Sequence, residues 1–139
     1  MMHEATINSI IRDIKLAQGV FGEASVFWPP SLSWLKISNY LLPTFFNKTT
    51  TDLLIIPPPH YGLVNVPLQE FYMDQGLLVK TSGGWKNLPH YHTGIHNKFG
   101  NEGWSWYCIH PQAWDKKDSI LTFLKLIDLM LQDPLNWTP

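Results

Sequence analysis

The sequence predicts an α+β fold in which helices are segregated from an antiparallel meander sheet. Apolar residues recur with helical spacing near both ends of the chain, and three strand-like segments lie between them with no intervening helix. The 139 residues are near the commonest size of one domain, so a single domain over 1–139 is expected. Hydrophobic residues make up 45% and charged residues 15%, which excludes a disordered chain.

The first predicted element is an amphipathic helix over residues 4–18. Its apolar side chains fall on one face by the spacing i, i+3, i+4, i+7 and i+10, and they are Ile7, Ile10, Ile11, Ile14 and Ala17. Gly19 and Gly22 are expected to end this helix.

Three strands are predicted to follow, over residues 33–40, 52–56 and 69–73. The segment 52–56 is continuously apolar, as in a central strand, and Pro57–Pro59 ends it. Before them, 23–30 is at most an edge strand, because Pro29 and Pro30 break it.

The last predicted element is a core helix over 119–132, which is apolar around more than half of its circumference. Asp115 or Asp118 is expected to accept hydrogen bonds from its first amides, and Pro134 closes it. Between sheet and helix, 81–103 contains five glycines and no periodicity, which predicts a long irregular segment of functional or mobile character.

Charge and cysteine usage narrow the classes of partner. The net charge is −1 and the ten basic residues are spread along the chain, so no basic stripe for nucleic acid is present. No apolar stretch approaches the roughly 20 residues of a membrane span, and the N-terminal residues do not resemble a signal peptide. Cys108 is the sole cysteine, which excludes an intrachain disulfide and favours a reducing, cytoplasmic location.

Cys108 is the first candidate for chemistry. If residues 104–110 are extended, Trp104, Trp106, Cys108 and His110 share one face, which brings the imidazole beside the sulfur. Such a pair could lower the pKa of the thiol or orient an incoming amine. The alternative is that Cys108 is a small buried hydrophobic residue.

Histidines and aspartates near the cysteine offer further alternatives. The spacing of His90, His92 and His96 could supply three ligands to zinc, although loop histidines commonly bond only to backbone and water. Asp115 and Asp118 could take a proton from an attacking amine or act as helix caps.

The order of elements and several motifs resemble the ubiquitin-conjugating enzyme superfamily. The turn Ile56-Pro57-Pro58-Pro59-His60-Tyr61, followed by Pro67 and Phe71, is similar to the proline-rich turn of that superfamily. Cys108 matches the nucleophile, and Trp114 with Asp118-Ser119-Ile120 matches the tryptophan and helix start that follow it. The bacterial branch, found alongside ThiF-type activating enzymes and JAB-type peptidases, has a Trp, a nucleophile and a His that resemble Trp104, Cys108 and His110.

The resemblance implies a ubiquitin-conjugating-like fold and a thioester carrier. It implies that Cys108 accepts a ubiquitin-like protein from a ThiF-type activating enzyme and passes it to an amine of a target protein, with no cofactor. The His-Pro-Asn triplet of the superfamily is missing, and Asn97 and Asn101 are the nearest stand-ins for its asparagine. The implied catalytic residues are therefore Cys108, His110 and Asn101.

The resemblance also implies a docking surface for the activating enzyme on the first helix, with Arg12 and Lys15 as binding residues. Trp104 and Trp114 are the other expected binding residues, and 81–103 is expected to close over Cys108. Antiphage defence is the implied setting. The alternatives are a catalytically inactive variant that only binds a ubiquitin-like protein or scaffolds the activating enzyme, and a small zinc hydrolase.

Overall fold

The computed structural model describes residues 2–89, 91–92 and 98–137, with backbone alone at 91 and 92. The predicted α+β architecture is confirmed, with a helix at each end of an antiparallel sheet. The elements in chain order are α1 (Glu4–Phe21), β1 (Val26–Phe27), β2 (Leu35–Leu41), β3 (Thr50–Ile56), β4 (Glu70–Asp74), β5 (Leu78–Thr81), β6 (Gly84–Asn87), β7 (Tyr91–His92), β8 (Trp104–Cys108) and α2 (Ile120–Gln132).

The main sheet has the strand order β1-β2-β3-β4-β8-β7, and every neighbouring pair is antiparallel. Strands β1 to β4 form the predicted meander, and β1 is the short edge strand expected before Pro29. Strand β8 then pairs with β4, so that Cys108 lies directly opposite Glu70. This pairing places the end of β8 beside the end of β3 and the start of β4.

The two faces of the sheet differ in what covers them. On the inner face, Phe71 stacks on Tyr107 at 5.6 Å and meets the edge of Phe123 of α2 at 5.7 Å. Side chains alternate along a strand, so the residues between these point the other way. The outer face, turned away from α2, therefore carries Glu70, Tyr72, Trp106 and Cys108.

Helix α1 is longer than predicted, because it continues through Gly19 and ends at Phe21. The residue that stops it is Gly22, whose φ of 89° only glycine adopts without strain and whose N–H donates to Gln18 O at 2.9 Å. Gly19 lies in open space and keeps helical geometry, since one glycine weakens a helix without breaking it.

A buried carboxylate ties α1 to α2. Asp13 is 3% exposed and accepts hydrogen bonds from the Tyr61 hydroxyl, the Arg12 guanidinium and the Ile120 N–H at the start of α2. Burial raises the pKa of Asp13, and these hydrogen bonds oppose the rise. The same burial, with the Asp13 charge, raises the pKa of Tyr61.

The prediction that Asp115 or Asp118 caps the N-terminus of α2 is wrong, because the N-cap residue is Ser119. The Ser119 hydroxyl accepts from Leu121 N at 3.1 Å, while the Thr122 hydroxyl accepts from Ser119 N, which forms a capping box. Asp115 and Asp118 instead order the preceding turn, where Asp118 accepts from Asp115 N at 2.8 Å. The helix accordingly begins at Ile120, one residue later than predicted.

The prediction of an irregular segment over 81–103 is also wrong in part. Strands β5 and β6 form a hairpin whose Thr81–Gly84 pair leaves Ser82 and Gly83 as a two-residue turn. Asn47 holds the hairpin, since its side chain accepts from Leu78 N at 2.8 Å. Strand β7 and a single 3₁₀ turn at Gly100–Glu102 occupy other parts of the segment.

Within the described part of the chain, no helix has both the length and the apolar character that crossing a membrane requires.

Candidate active site

Cys108 is the last residue of β8 and lies at one end of the sheet, on its outer face. Its side chain is partly exposed, so the thiol is accessible to a reagent and is not a buried core residue. The ladder continues one residue further, where Ile109 N donates to Gln69 O at 3.0 Å and the Ile109 side chain enters the core. Ile109 and Tyr107, the two residues beside Cys108 in the chain, are both buried in the core and therefore fix the position of the sulfur.

The surroundings of Cys108 raise the pKa of its thiol. Partial burial raises the pKa of Cys108, and the negative charge of Glu70 across the strand pair raises it further. A hydrogen bond from the Trp106 side chain acts in the opposite direction and lowers the pKa. This direction is opposite to the lowered pKa that an imidazole beside the sulfur would cause.

His110 does not pair with Cys108 in the structure. Trp104, Trp106 and Cys108 do share one face, as the period of two predicts, but β8 ends at Cys108 and His110 lies beyond it. The His110 side chain is exposed, and no hydrogen bond joins it to the sulfur in the described structure. The strand ends here because Pro111 has no N–H to continue a ladder.

Asn101 lies at the far end of β8 from the thiol. It belongs to the 3₁₀ turn that precedes Trp104, and Gln75 fixes this turn by donating to Gly100 O at 2.6 Å and to Trp104 O at 3.2 Å. Four residues of strand at about 3.3 Å each place Trp104 about 13 Å from Cys108. Neither Asn101 nor Trp104 therefore contacts the Cys108 sulfur.

A different part of the same segment reaches the thiol end of the sheet. Phe99 packs edge-on against Tyr72 of the outer face, with ring centroids 5.2 Å apart. Burial raises the pKa of Tyr72, and the Lys98 N–H, which donates to the Tyr72 hydroxyl, opposes the rise. The nearby charges of Glu70 and Cys108 raise this pKa further. Residues 98–103 thus run along the outer face from the Cys108 end towards the Trp104 end.

Arg12 contributes to the fold through contacts with its neighbours. Its guanidinium lies 3.0 Å from the Asp13 carboxylate and donates to Tyr61 Oη at 3.3 Å and to Asp118 O at 3.1 Å. Charge reversal at Arg12 would break these contacts and destabilise the fold. Such a variant therefore cannot test whether Arg12 binds the activating enzyme. Lys15 is exposed and makes no ion pair in the described structure, so it remains available to a partner.

Trp114 is part of the core. It is 9% exposed, and its ring packs against Tyr61 at a centroid distance of 6.4 Å. Its expected part in binding is not supported by this placement, because a partner could reach little of the ring.

The histidine cluster considered for zinc falls largely outside the described residues. His90, His96 and Asn97 are not described, and the side chain of His92 is not described either. Among the described residues, no group of three or more His, Cys, Asp or Glu side chains could hold a metal ion.

Glu70 and Tyr72 lie near Cys108, and neither was predicted from the sequence as its neighbour. Strand 69–73 was predicted, but its partner was not, since 29 residues separate Asp74 from Trp104. One signal was available. Each segment carries two consecutive aromatic residues, Phe71 and Tyr72 in β4 and Trp106 and Tyr107 in β8, and cross-strand aromatic pairs stabilise neighbouring strands.

Comparison with known proteins identifies the family. No curated protein and no solved structure matches the chain significantly. The model of a protein family, described as Prokaryotic E2 family E, matches residues 23–134, which include every strand of the sheet and α2. This match agrees with the α+β fold and with the resemblance of the proline-rich turn and Cys108 to ubiquitin-conjugating enzymes. The chain belongs to the prokaryotic E2 family E.

Proposed function

We propose that the protein is a conjugating enzyme that carries a ubiquitin-like protein on Cys108 as a thioester and transfers it to an amine of a target protein. The observation that carries the proposal is the position of Cys108, the sole thiol, which is partly exposed at the end of β8. Membership of the prokaryotic E2 family supports it. We place the reaction in the bacterial cytoplasm, with antiphage defence as the setting that the resemblance implies.

The chemistry of this thiol suits a carrier. A thiolate attacks the thioester on the activating enzyme, the C–S bond to the first carrier breaks, and the acyl group moves to Cys108. A thiol of raised pKa is a poorer leaving group, so the Cys108 thioester exchanges more slowly with every nucleophile, the acceptor amine included.

The roles of other residues belong to the same proposal. His110, exposed two residues beyond the thiol, contacts the incoming partner or acceptor, and Lys15 on α1 contacts the ThiF-type activating enzyme. His110→Ala and Lys15→Glu are expected to fold normally and to slow loading or discharge.

A loading assay with variants tests the proposal. The protein is incubated with its ubiquitin-like partner, the activating enzyme, ATP and magnesium, and the adduct is examined with and without thiol reductant. We expect an adduct that reductant removes, no adduct with Cys108→Ala, and a reductant-resistant adduct with Cys108→Ser, because an oxyester is not cleaved by thiols at a comparable rate. An adduct that forms normally on Cys108→Ala would refute the assignment.

A binding-only variant of the fold is the second candidate. It is favoured by the distance of Asn101 from the sulfur and by the missing contact between His110 and Cys108 in the described structure. It predicts a stable complex with the ubiquitin-like protein or the activating enzyme, and no adduct on the wild type with cognate partners.

A further inference from the structure

The hairpin formed by β5 and β6 is held to the rest of the fold along one side. The N–H of Lys80 donates to Phe45 O at 2.8 Å, and the N–H of Leu78 donates to the Asn47 side chain at 2.8 Å. Both donors are on β5, and both hydrogen bonds point away from β6. In an antiparallel pair, a residue that bonds outward lies opposite a partner that also bonds outward. The partners of these two residues on β6 therefore direct their backbone groups to the other side of the hairpin.

Those partners are Trp85 and Asn87, and their N–H and C=O groups form a free strand edge. Within the described part of the chain, β6 pairs with β5 alone, and no loop supplies a backbone hydrogen bond to this edge. All four residues of β6 are exposed. An exposed strand edge is a template on which another extended segment can add by main-chain hydrogen bonds.

A pocket of about 400 Å³ opens beside the last residue of β6. Its walls come from Asn87 and Leu88, from the turn at 75–77, and from Ser105 and Tyr107 of β8. Ser105 is 5% exposed, and its hydroxyl makes no hydrogen bond in the described structure. Buried polar groups are nearly always paired, so a polar side chain that enters the pocket from outside would complete this site. An added strand presents a side chain to one face at every second residue.

The hairpin is basic and carries an exposed aromatic ring. Lys80 and Lys86 are the only charged residues of β5 and β6, and neither makes an ion pair in the described structure. The ammonium group of Lys80 lies 5.9 Å from the centre of the Trp85 ring, which is half exposed. An acidic segment would complement the charge of these lysines. A second copy of the chain would bring two more lysines to the same edge, so repulsion between like charges disfavours self-pairing.

We propose that the free edge of β6 binds an extended, acidic segment of a partner protein, which adds to the hairpin as a further strand. The carboxylates of this segment face the two lysines, and one of its alternate side chains enters the pocket at Ser105. The pocket lies at the Trp104 end of β8, which is the end opposite Cys108. Binding there does not require the thiol, so the surface is independent of the proposed thioester chemistry.

Synthetic peptides test strand addition directly. The probe is a short fluorescein-labelled peptide that alternates Glu with Thr, because Thr favours strands and its hydroxyl can pair with that of Ser105. Binding to the full-length protein is followed by fluorescence anisotropy at low salt. Two further peptides carry N-methyl groups on every Glu or on every Thr. Because successive N–H groups of a strand point to opposite edges, each modified peptide has one edge blocked and the other intact.

We expect the unmodified peptide and one methylated peptide to bind, and the other methylated peptide to lose binding, because only one edge of an added strand faces β6. The double variant Lys80→Glu, Lys86→Glu should bind the probe about tenfold more weakly. Its control, Lys117→Glu with Lys125→Glu, changes the net charge equally on exposed lysines elsewhere and should bind as the wild type. Asn87→Pro should abolish binding and keep the hairpin, since it removes an outward N–H and none that bonds to β5.

An unmodified probe that does not bind, or methylated peptides that both bind or both fail, would exclude strand addition. Equal weakening by the two lysine double variants would indicate nonspecific attraction between charges. A folded Asn87→Pro protein that binds as the wild type would exclude the β6 edge.

A wild-type dimer in sedimentation that Asn87→Pro dissociates would assign this edge to a second copy of the chain and overturn the inference. The methylated peptides need no variant, so they decide the matter even if Asn87→Pro does not fold. None of these measurements involves Cys108, so failure of the proposed function is recognised separately in the loading assay.

Discussion

At the scale of single residues, two neighbours of Cys108 shift the pKa of its thiol, one from the adjacent strand and one from the same strand. Glu70 faces it across the β4–β8 pair, and Trp106 precedes it by two residues on the same face. The sequence correctly predicted that Trp106 and Cys108 share a face, because alternation along a strand is local. It could not predict Glu70, because a cross-strand neighbour depends on register.

Removing the Glu70 charge should make the thiol more acidic. Glu70→Gln abolishes one of the two causes that raise the pKa of Cys108, and burial remains. The pH profile of Cys108 alkylation by iodoacetamide should therefore shift to lower pH, and the rate at neutral pH should increase. Glu102→Gln is the control and should reproduce the wild-type profile. A Glu70→Gln profile that is unmoved, or shifted to higher pH, would contradict this electrostatic account.

Gly62 allows the loop after Tyr61 to approach α1 closely. Its φ is 94°, and an added Cβ would lie 2.6 Å from the carbonyl oxygen of Ala5 in α1. Gly76 has a similar φ of 78° but open space around it, so it serves as a matched control. We expect Gly76→Ala to cost about 1 kcal/mol from backbone strain alone, and Gly62→Ala about 2–3 kcal/mol because it adds a backbone clash.

Urea unfolding of both variants measures this difference. Equal losses of unfolding free energy would show that the loop after Tyr61 does not approach α1 as closely as the structure has it.

At the scale of elements, the two helices are held together by Asp13. Periodicity predicted α1 and α2 because each has a continuous apolar stripe, but Asp13 falls among those buried positions and its role depends on Tyr61 and Ile120 from distant parts of the chain. The hairpin β5–β6 was missed for a related reason. Asn47 and the core residue Val79 anchor it, while the exposed residues of β6 carry no alternating pattern.

The Asp13 contact should give stability a defined dependence on pH. Burial raises the pKa of Asp13 above its ordinary value of 3.8, so the folded protein keeps a proton that the unfolded chain has lost. The stability from this proton is fully present below pH 3.8 and is lost as pH rises through the higher folded-state pKa. Asp13→Asn cannot titrate, so the wild-type unfolding free energy, relative to this variant, should fall as pH rises from 3.8.

Urea unfolding of both proteins across pH 3.8 to neutral checks the sign. A relative stability that increases with pH would mean that the hydrogen bonds from Tyr61 and Arg12 outweigh burial.

At the scale of the whole molecule, the meander brings residues from three distant segments to one end of the sheet. The sequence predicted β1 to β4 and α2 with small errors at their ends, since hydrophobic patterning specifies them locally. It did not predict that β8 would pair with β4, and this pairing decides which side chains surround Cys108. The surroundings of Cys108 therefore depend on which strands pair. From the sequence alone, only Cys108 and its neighbours in β8 could be identified.

The central claim is that Cys108 carries the acyl group, and intact mass of the charged protein tests it most directly. After loading with the ubiquitin-like protein, activating enzyme, ATP and magnesium, the wild type should gain the mass of the partner less one water. Brief treatment with thiol reductant should return it to its original mass, because a thioester is cleaved by thiols. A wild-type adduct that survives reductant, or the same labile adduct on Cys108→Ala, would contradict the account.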